Sequence, residues 1–127
     1  MGKEGLMIMK VADEFWTLVQ AAESAWQKTD GTDELEPYLL QILQFVQSNS
    51  NSREELVENF KTIVKEEKWP IEILEFCMRE LKWDEIKLSV LQEMSNSSDL
   101  RVRDALSRVL AVYEKEWEDS DLYKYYS

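Results

Sequence analysis

The sequence predicts an all-α protein that forms one domain over residues 1–127. Gly and Pro, the residues that most often interrupt helices, occur only three times and twice in 127 residues. Leu, Glu, Lys, Gln and Ala dominate instead, and these residues lose little side-chain freedom in a helix. Apolar residues recur at spacings of three and four along most of the chain, as expected for amphipathic helices. The 44% hydrophobic content is sufficient for one core.

The first two helices are predicted from their apolar stripes. The first runs from Glu4 to Lys28, and we expect Gly31 to end it in the left-handed conformation. The second carries Pro37 in its first turn and stops at the Ser/Asn run 48–51. The stripe of the first helix consists of Met9, Ala12, Phe15, Trp16, Val19, Ala22 and Trp26. The stripe of the second consists of Tyr38, Leu39, Ile42, Leu43, Phe45 and Val46.

The third helix begins at a capping-box pattern in which Ser52 and Glu55 satisfy each other's backbone donors. Two similar corners follow it, Lys68-Trp69-Pro70 and Lys82-Trp83-Asp84, each ahead of a new apolar pattern. Asp84 suits an N-cap, and Trp83 is placed to pack against Leu88. We expect both tryptophans to anchor corners between helices, and the alternative is that they stack on a ligand.

Three further helices are predicted in the second half, over 71–81, 84–94 and 99–117. Cys77 lies on the apolar stripe of the first of these. A buried thiol has a raised pKa and is a poor nucleophile, so we expect an inert core residue. A single cysteine forms no internal disulfide, which agrees with a reducing compartment.

The last helix carries a recognisable pattern. An Asp opens it at Asp99, Val102 and Arg103 follow, and Ala105 and Leu110 occupy small and leucine positions. This segment resembles the second helix of a HEAT repeat. The resemblance implies about six helices in a short right-handed stack of antiparallel helical hairpins, and a surface that holds another macromolecule. The alternative architecture is an irregular helical bundle.

Charge is the most informative global property. Fifteen basic and 26 acidic residues give a formal net charge of −11. Such a field repels nucleic acid, so we expect no direct nucleic-acid binding, whereas a cationic protein partner is attracted. The alternative is that the acids only keep a helical domain in solution. No segment has the length of a membrane span or the pattern of a signal peptide, so we expect no membrane association and a cytoplasmic location.

The sequence indicates a protein that is not an enzyme. It contains no histidine, so the usual base for a Ser or Cys nucleophile is missing, as is the Glu-x-x-His motif of di-iron bundles. Metal sites in proteins need converging His, Cys or carboxylate ligands, and no spacing here indicates one. We therefore expect no catalytic residue, metal or cofactor.

Two groups of residues are the candidate partner-binding sites. The corner cluster is Glu72, Glu75, Asp84 and Glu85, and the tail cluster is Asp119, Asp121, Tyr123 and Tyr125. Carboxylates would steer and pair with Lys and Arg of a partner, and tyrosines would supply contact area. The alternative for the tail is that its aromatic residues fold back on the last helices while its acids face water.

The overall profile is similar to that of bacterial toxin-immunity proteins of the contact-dependent growth inhibition type, which are small, acidic and helical and carry no catalytic residues. This resemblance implies a protein that neutralises a basic, nuclease-type toxin by covering its active site. Two alternatives are a HEAT-like scaffold or adaptor in a protein complex, and an acidic mimic of nucleic acid that blocks a DNA-binding protein.

Overall fold

The fold was analysed in a computed structural model that describes residues 10–28 and 31–127. This part of the chain forms six α-helices and two 3₁₀ turns and contains no strand. The helices are α1 (Val11–Lys28), α2 (Thr32–Ser48), α3 (Arg53–Glu66), α4 (Ile71–Leu81), α5 (Asp84–Asn96) and α6 (Leu100–Ala111). The 3₁₀ turns are Ser50–Ser52 and Glu118–Leu122. The predicted all-α fold is confirmed.

The helices pack in two rows. The odd-numbered helices contact one another in the order α1, α3, α5, and the even-numbered helices in the order α2, α4, α6. Each helix of one row also contacts its successor in the other, α1 with α2, α3 with α4, and α5 with α6. This is the order of neighbours in consecutive helical pairs laid side by side. The HEAT-like, right-handed character of that stack stays a prediction.

Each helix turns its apolar stripe toward one continuous core. Phe15 of α1 meets Phe60 of α3 edge to face at 5.1 Å, and Phe76 of α4 lies fully buried in the even row. Such aromatic pairs stabilise a core beyond the area they bury. The predicted burial of Cys77 is confirmed, and burial raises the pKa of its thiol. Trp26, expected on the α1 stripe, is instead 43% exposed, and Met9 lies outside the described residues.

The ends of α1 and α2 differ from the prediction. Gly31 is extended, with φ −143° and ψ 164°, and serves as the N-cap of α2 rather than as a left-handed end of α1. Because α2 begins at Thr32, Pro37 lies inside the helix and not in its first turn. The left-handed helix ends are found at Glu67 after α3 and Lys82 after α4.

The predicted capping box of α3 does not form. Among the described residues, the Ser52 side chain makes no capping hydrogen bond, and Glu55 turns to another helix. Its Oε2 accepts a hydrogen bond of 2.9 Å from the backbone N–H of Ala12. The first N–H groups of a helix have no hydrogen-bond partner within it. Glu55 therefore provides an acceptor for one of those groups, the N–H of Ala12, in the first turn of α1. The pattern therefore identified a capping carboxylate and assigned it to the wrong helix.

The two corner tryptophans pack against the core, although not as predicted in detail. Trp69 lies 5.4 Å from the ring of Trp16, and Trp83 meets Phe60 edge to face at 5.7 Å. Trp83 is itself the N-cap of α5, and Leu88 is 59% exposed. Leu88 is therefore not among the residues packed on the core with Trp83, and Asp84 is the first helical residue rather than the cap.

Helix α6 is shorter than predicted, and Arg79 of α4 binds carbonyl groups that follow its end. Its start is as expected, since Asp99 Oδ1 accepts a hydrogen bond from the N–H of Arg101 at 2.9 Å. The helix ends at Ala111. The Arg79 guanidinium donates to the carbonyl oxygens of Val112 and Glu114, at 2.9 and 2.5 Å. Residues 112–127 then turn back along α4 as an irregular segment, which we call the C-terminal tail.

Candidate interaction surfaces

The corner cluster and the tail cluster meet in the protein interior. Glu75 of α4 is fully buried, and its carboxylate accepts hydrogen bonds from Arg108 Nε at 3.1 Å and Nη2 at 2.8 Å. The hydroxyl of Tyr123, also fully buried, donates to Glu75 Oε1 at 3.2 Å. Glu72 lies at the edge of this group, 4.0 Å from Arg108 Nη2. Glu75 and Tyr123 therefore hold the tail on α4 and present no surface to a partner.

Burial is the largest influence on the pKa values of Glu75 and Tyr123. Desolvation raises the pKa of Glu75, an effect that the Arg108 charge opposes. Desolvation also raises the pKa of Tyr123, and the Glu75 charge acts in the same direction. The phenol of Tyr123 therefore stays protonated and acts as a donor to Glu75.

The other two residues of the corner cluster, Asp84 and Glu85, follow the C-terminal end of α4. Glu85 pairs with Arg53 of α3 through two hydrogen bonds, of 2.5 and 2.9 Å, which lower the pKa of Glu85 to about 2. The Arg53 guanidinium also stacks 4.7 Å above the ring of Trp83. Asp84 is exposed beside them. The corner cluster is therefore two separate sites, because Glu72 lies at the start of α4 and Asp84 follows its end.

The tail cluster is carried by a segment whose aromatic residues are docked. The ring of Phe76 on α4 contacts Tyr123 at 5.4 Å and Tyr126 at 5.1 Å, and the Tyr126 hydroxyl donates a short hydrogen bond to the Phe76 carbonyl oxygen. Trp117 is buried and stacks on Tyr123. The expectation that tail aromatics fold back thus holds for Trp117, Tyr123 and Tyr126.

A carboxylate of α2 fixes the end of the tail. Glu36 is nearly buried, and its oxygens accept the backbone N–H groups of Lys124 at 2.9 Å and Tyr125 at 2.7 Å. Charge-assisted hydrogen bonds of this kind are stronger than neutral ones. No local sequence pattern indicates this contact, because Glu36 lies 88 and 89 residues from its two partners.

The remaining residues of the tail cluster face solvent. Asp119 and Asp121 are exposed on the second 3₁₀ turn. Tyr125 is 45% exposed, although one side of its ring contacts Phe76 at 5.5 Å and Tyr126 at 4.9 Å. Residues 112–127 contain five acidic and two basic residues. The docked tail therefore presents an excess of negative charge together with one accessible aromatic ring.

A groove that the sequence did not indicate lies between α3, α4 and α6. Its volume is about 380 Å³. Apolar side chains from the three helices line it, and Glu67, Asp99 and Arg101 stand among the lining residues. No periodicity could reveal it, because its walls come from three segments that are distant in sequence.

The described residues give no indication of a metal centre. Within 10–28 and 31–127, no three or more His, Cys, Asp or Glu side chains are grouped so that they could hold a metal ion. In the same ranges no helix is long and apolar enough to cross a bilayer.

Comparison of the chain with protein-family models, with curated proteins and with solved structures finds no match.

Proposed function

We propose that this chain is a non-enzymatic binding protein that neutralises a cationic, nuclease-type toxin by covering its active site, in the manner of an immunity protein. The observation that carries the proposal is the docked acidic tail, in which exposed Asp119, Asp121 and Tyr125 stand on a buried aromatic base. A binding surface that is already ordered loses less conformational entropy when a partner binds.

Electrostatics supports a basic partner. The chain has a net charge of −11, and the five acids of the tail exceed its two lysines. Complementary charge accelerates encounter and disfavours partners of the wrong sign. The active-site channel of a nuclease is cationic because it holds a polyanion, so an acidic surface fits that channel.

The proposal assigns different roles to the predicted site residues. Asp119, Asp121 and Tyr125, together with exposed Asp84, would contact the partner. Glu72 and Glu85 are partly exposed and already paired with Arg108 and Arg53, so they would contribute less. Glu75 and Tyr123 would act by holding the tail in place.

To test this, the purified chain is immobilised and exposed to an extract of its native source at low and at high salt. Mass spectrometry then identifies the retained proteins. We expect a basic toxin domain that is retained more strongly at low salt, and whose activity disappears when one equivalent of this chain is added. Asp119→Lys/Asp121→Lys should weaken the complex. The matched control is Asp13→Lys/Glu58→Lys, which changes the net charge equally at exposed positions on α1 and α3. Equal affinities for the two variants would overturn the proposal.

The adaptor alternative is favoured by the two rows of helices, since stacks of helical pairs offer extended surfaces for other proteins. It predicts neutral or acidic assembly components that are retained equally at both salt concentrations. The nucleic-acid mimic predicts a DNA-binding protein that nucleic acid displaces. Either outcome would replace the toxin proposal.

A further inference from the structure

The groove between α3, α4 and α6 has an apolar floor. Ile63 and Val64 come from the last turns of α3, Leu74 from α4 and Leu106 from α6, and all four are buried beneath it. Trp69, at the corner between α3 and α4, forms part of a wall. A volume of about 380 Å³ lies within the range of roughly 300 to 1,000 Å³ that is typical of ligand pockets.

Two of the residues that line this groove are acidic. Glu67 lines it from the end of α3, and Asp99 lines it from the N-cap of α6. Glu93 of α5 lies near enough to Glu67 for its charge to act on the Glu67 carboxyl group. Desolvation and the neighbouring Glu93 and Asp99 charges raise the pKa of Glu67. Like charges that line one groove repel each other, and a cation placed between Glu67 and Asp99 would reduce that repulsion.

The local basic residue does little to neutralise these acids. Arg101 is the one basic side chain among the described residues that line the groove. Its Nε lies 3.8 Å from Asp99 Oδ1, and its side chain is 95% exposed. An ion pair that is so open to water contributes little. Lys68 Nζ also lies 4.8 Å from the ring of Trp69, whose indole N–H donates to Glu66, so the charges of Lys68 and Glu66 offset each other there. Among the lining residues the two acids outnumber Arg101, next to an apolar floor.

Resting on the proposed function, we propose that this groove is the docking site for a basic amphipathic peptide segment of the protein partner. An apolar side chain of that segment would occupy the floor over Leu74 and Leu106, and an adjacent Lys or Arg side chain would lie between Glu67 and Asp99. Charge complementarity selects this occupant, because an anionic segment is repelled by the Glu67 and Asp99 charges and a neutral one brings them no additional cation.

The groove is separate from the tail cluster. Its lining residues belong to α3, α4, α6 and the corner between α3 and α4, and none belongs to the C-terminal tail. A partner that used both surfaces would gain specificity from two independent contacts. Variants of one surface therefore serve as controls for the other.

The first test uses the ¹⁵N-labelled chain and a short synthetic peptide with two adjacent leucines flanked by lysine and arginine. We expect amide chemical-shift changes at groove residues such as Val102 and Ala105. A companion peptide with serines in place of the leucines should bind weakly, and one with glutamates in place of the basic residues should not bind. Equal binding of the leucine and serine peptides, or shift changes confined to other surfaces, would overturn the proposal.

Charge-reversal variants make the test specific. Glu67→Lys/Glu93→Lys should weaken binding of the basic peptide by about tenfold at low salt. The control Asp119→Lys/Asp121→Lys changes the net charge equally and should leave peptide affinity nearly unchanged. Glu67→Asn is a second variant, because asparagine tolerates the left-handed backbone at this position and removes only the charge. Peptide affinity that responds to the tail pair as strongly as to the groove pair would contradict the proposal.

Affinity measurements with the natural partner distinguish failure of the groove proposal from failure of the proposed function. A basic toxin domain whose affinity falls with the tail reversal and not with the groove reversal would overturn the groove inference and leave the proposed function standing. A neutral partner retained independently of salt would overturn the proposed function, even if the synthetic peptide occupies the groove.

Discussion

Arg108 of α6 donates two hydrogen bonds to the fully buried carboxylate of Glu75 on α4, at 3.1 and 2.8 Å. Tyr123 of the C-terminal tail donates a third. One carboxylate thus joins two helices of the even row and the segment that carries the tail cluster. Because the charge of Glu75 is buried, the consequences of removing its partner are large and can be measured.

Arg108→Met should lower the free energy of unfolding by about 2 to 3 kcal/mol, because it leaves an uncompensated buried carboxylate. The effect is smaller than for a fully buried pair, since 39% of the Arg108 side chain is exposed. The double variant Arg108→Met/Glu75→Gln should recover part of the loss. Urea denaturation measures both. Arg103→Met, an exposed position on the same helix, is the control, and an equal effect there would refute the argument.

The stability difference between the Arg108→Met variant and the unaltered protein should depend on pH. Desolvation raises the folded-state pKa of Glu75 above its ordinary value of 4.5. The folded state therefore binds the Glu75 proton more tightly, and this contribution to stability is full below pH 4.5 and is lost as pH rises through the folded-state pKa. Arg108 limits the loss by lowering that pKa. Urea denaturation should give a larger difference at about pH 7 than at about pH 4, and a difference independent of pH would contradict this account.

The pair of Arg53 and Glu85 should show the opposite dependence. Hydrogen bonds from Arg53 lower the pKa of Glu85 to about 2, so the stability from this pair is present above the ordinary pKa and is lost as pH falls toward about 2. Both side chains are roughly half exposed, which limits the contribution to about 0 to 1 kcal/mol. The sharper measurement is an NMR titration of the Glu85 carboxyl carbon. Its midpoint should rise toward the ordinary value in Arg53→Met, and an unchanged midpoint would disprove the assignment.

The features that the sequence predicted well are those set by local pattern. Six amphipathic stripes predicted the helices, the stripe of α4 placed Cys77 in the core, and Asp99 was recognised as the start of α6. Each depends on residues within a few positions of one another. The periodicity of apolar residues is enough to identify them.

The features that the sequence analysis missed depend on contacts between side chains that are far apart in the sequence. The sequence analysis placed Glu75 on a binding surface, because Arg108, which permits its burial, lies 33 residues away. Arg79 of α4 binds carbonyl groups just beyond the end of α6, and Glu55 caps α1 rather than α3. Local rules assign each polar group to its nearest backbone terminus. Only the packed rows of helices determine which terminus it reaches.

The contact of Glu36 with the tail leads to a further prediction. Both of its oxygens accept backbone N–H groups, those of Lys124 and Tyr125, whereas the amide of Glu36→Gln would keep only one acceptor oxygen. We expect a loss of about 1 to 2 kcal/mol in the free energy of unfolding. Hydrogen exchange at Lys124 and Tyr125 should accelerate. Glu34→Gln, at an exposed position in the same helix, should leave exchange in the tail unchanged. Equal acceleration in the two variants would show that Glu36 does not fix the tail.

Lys82 offers a test in the stabilising direction. It ends α4 in the left-handed conformation, with φ 49° and ψ 45°, and its N–H donates to the carbonyl oxygen of Met78. A residue with a Cβ is strained in that region by about 1 kcal/mol, and glycine is not. Lys82→Gly should therefore raise the free energy of unfolding by about 0.5 to 1 kcal/mol, after allowance for the greater freedom of glycine in the unfolded chain. Lys82→Ala removes the same charge and keeps the strain, so urea denaturation should show no gain for it. A gain of equal size in both variants would mean that the lysine charge, and not the backbone conformation, destabilises this helix end.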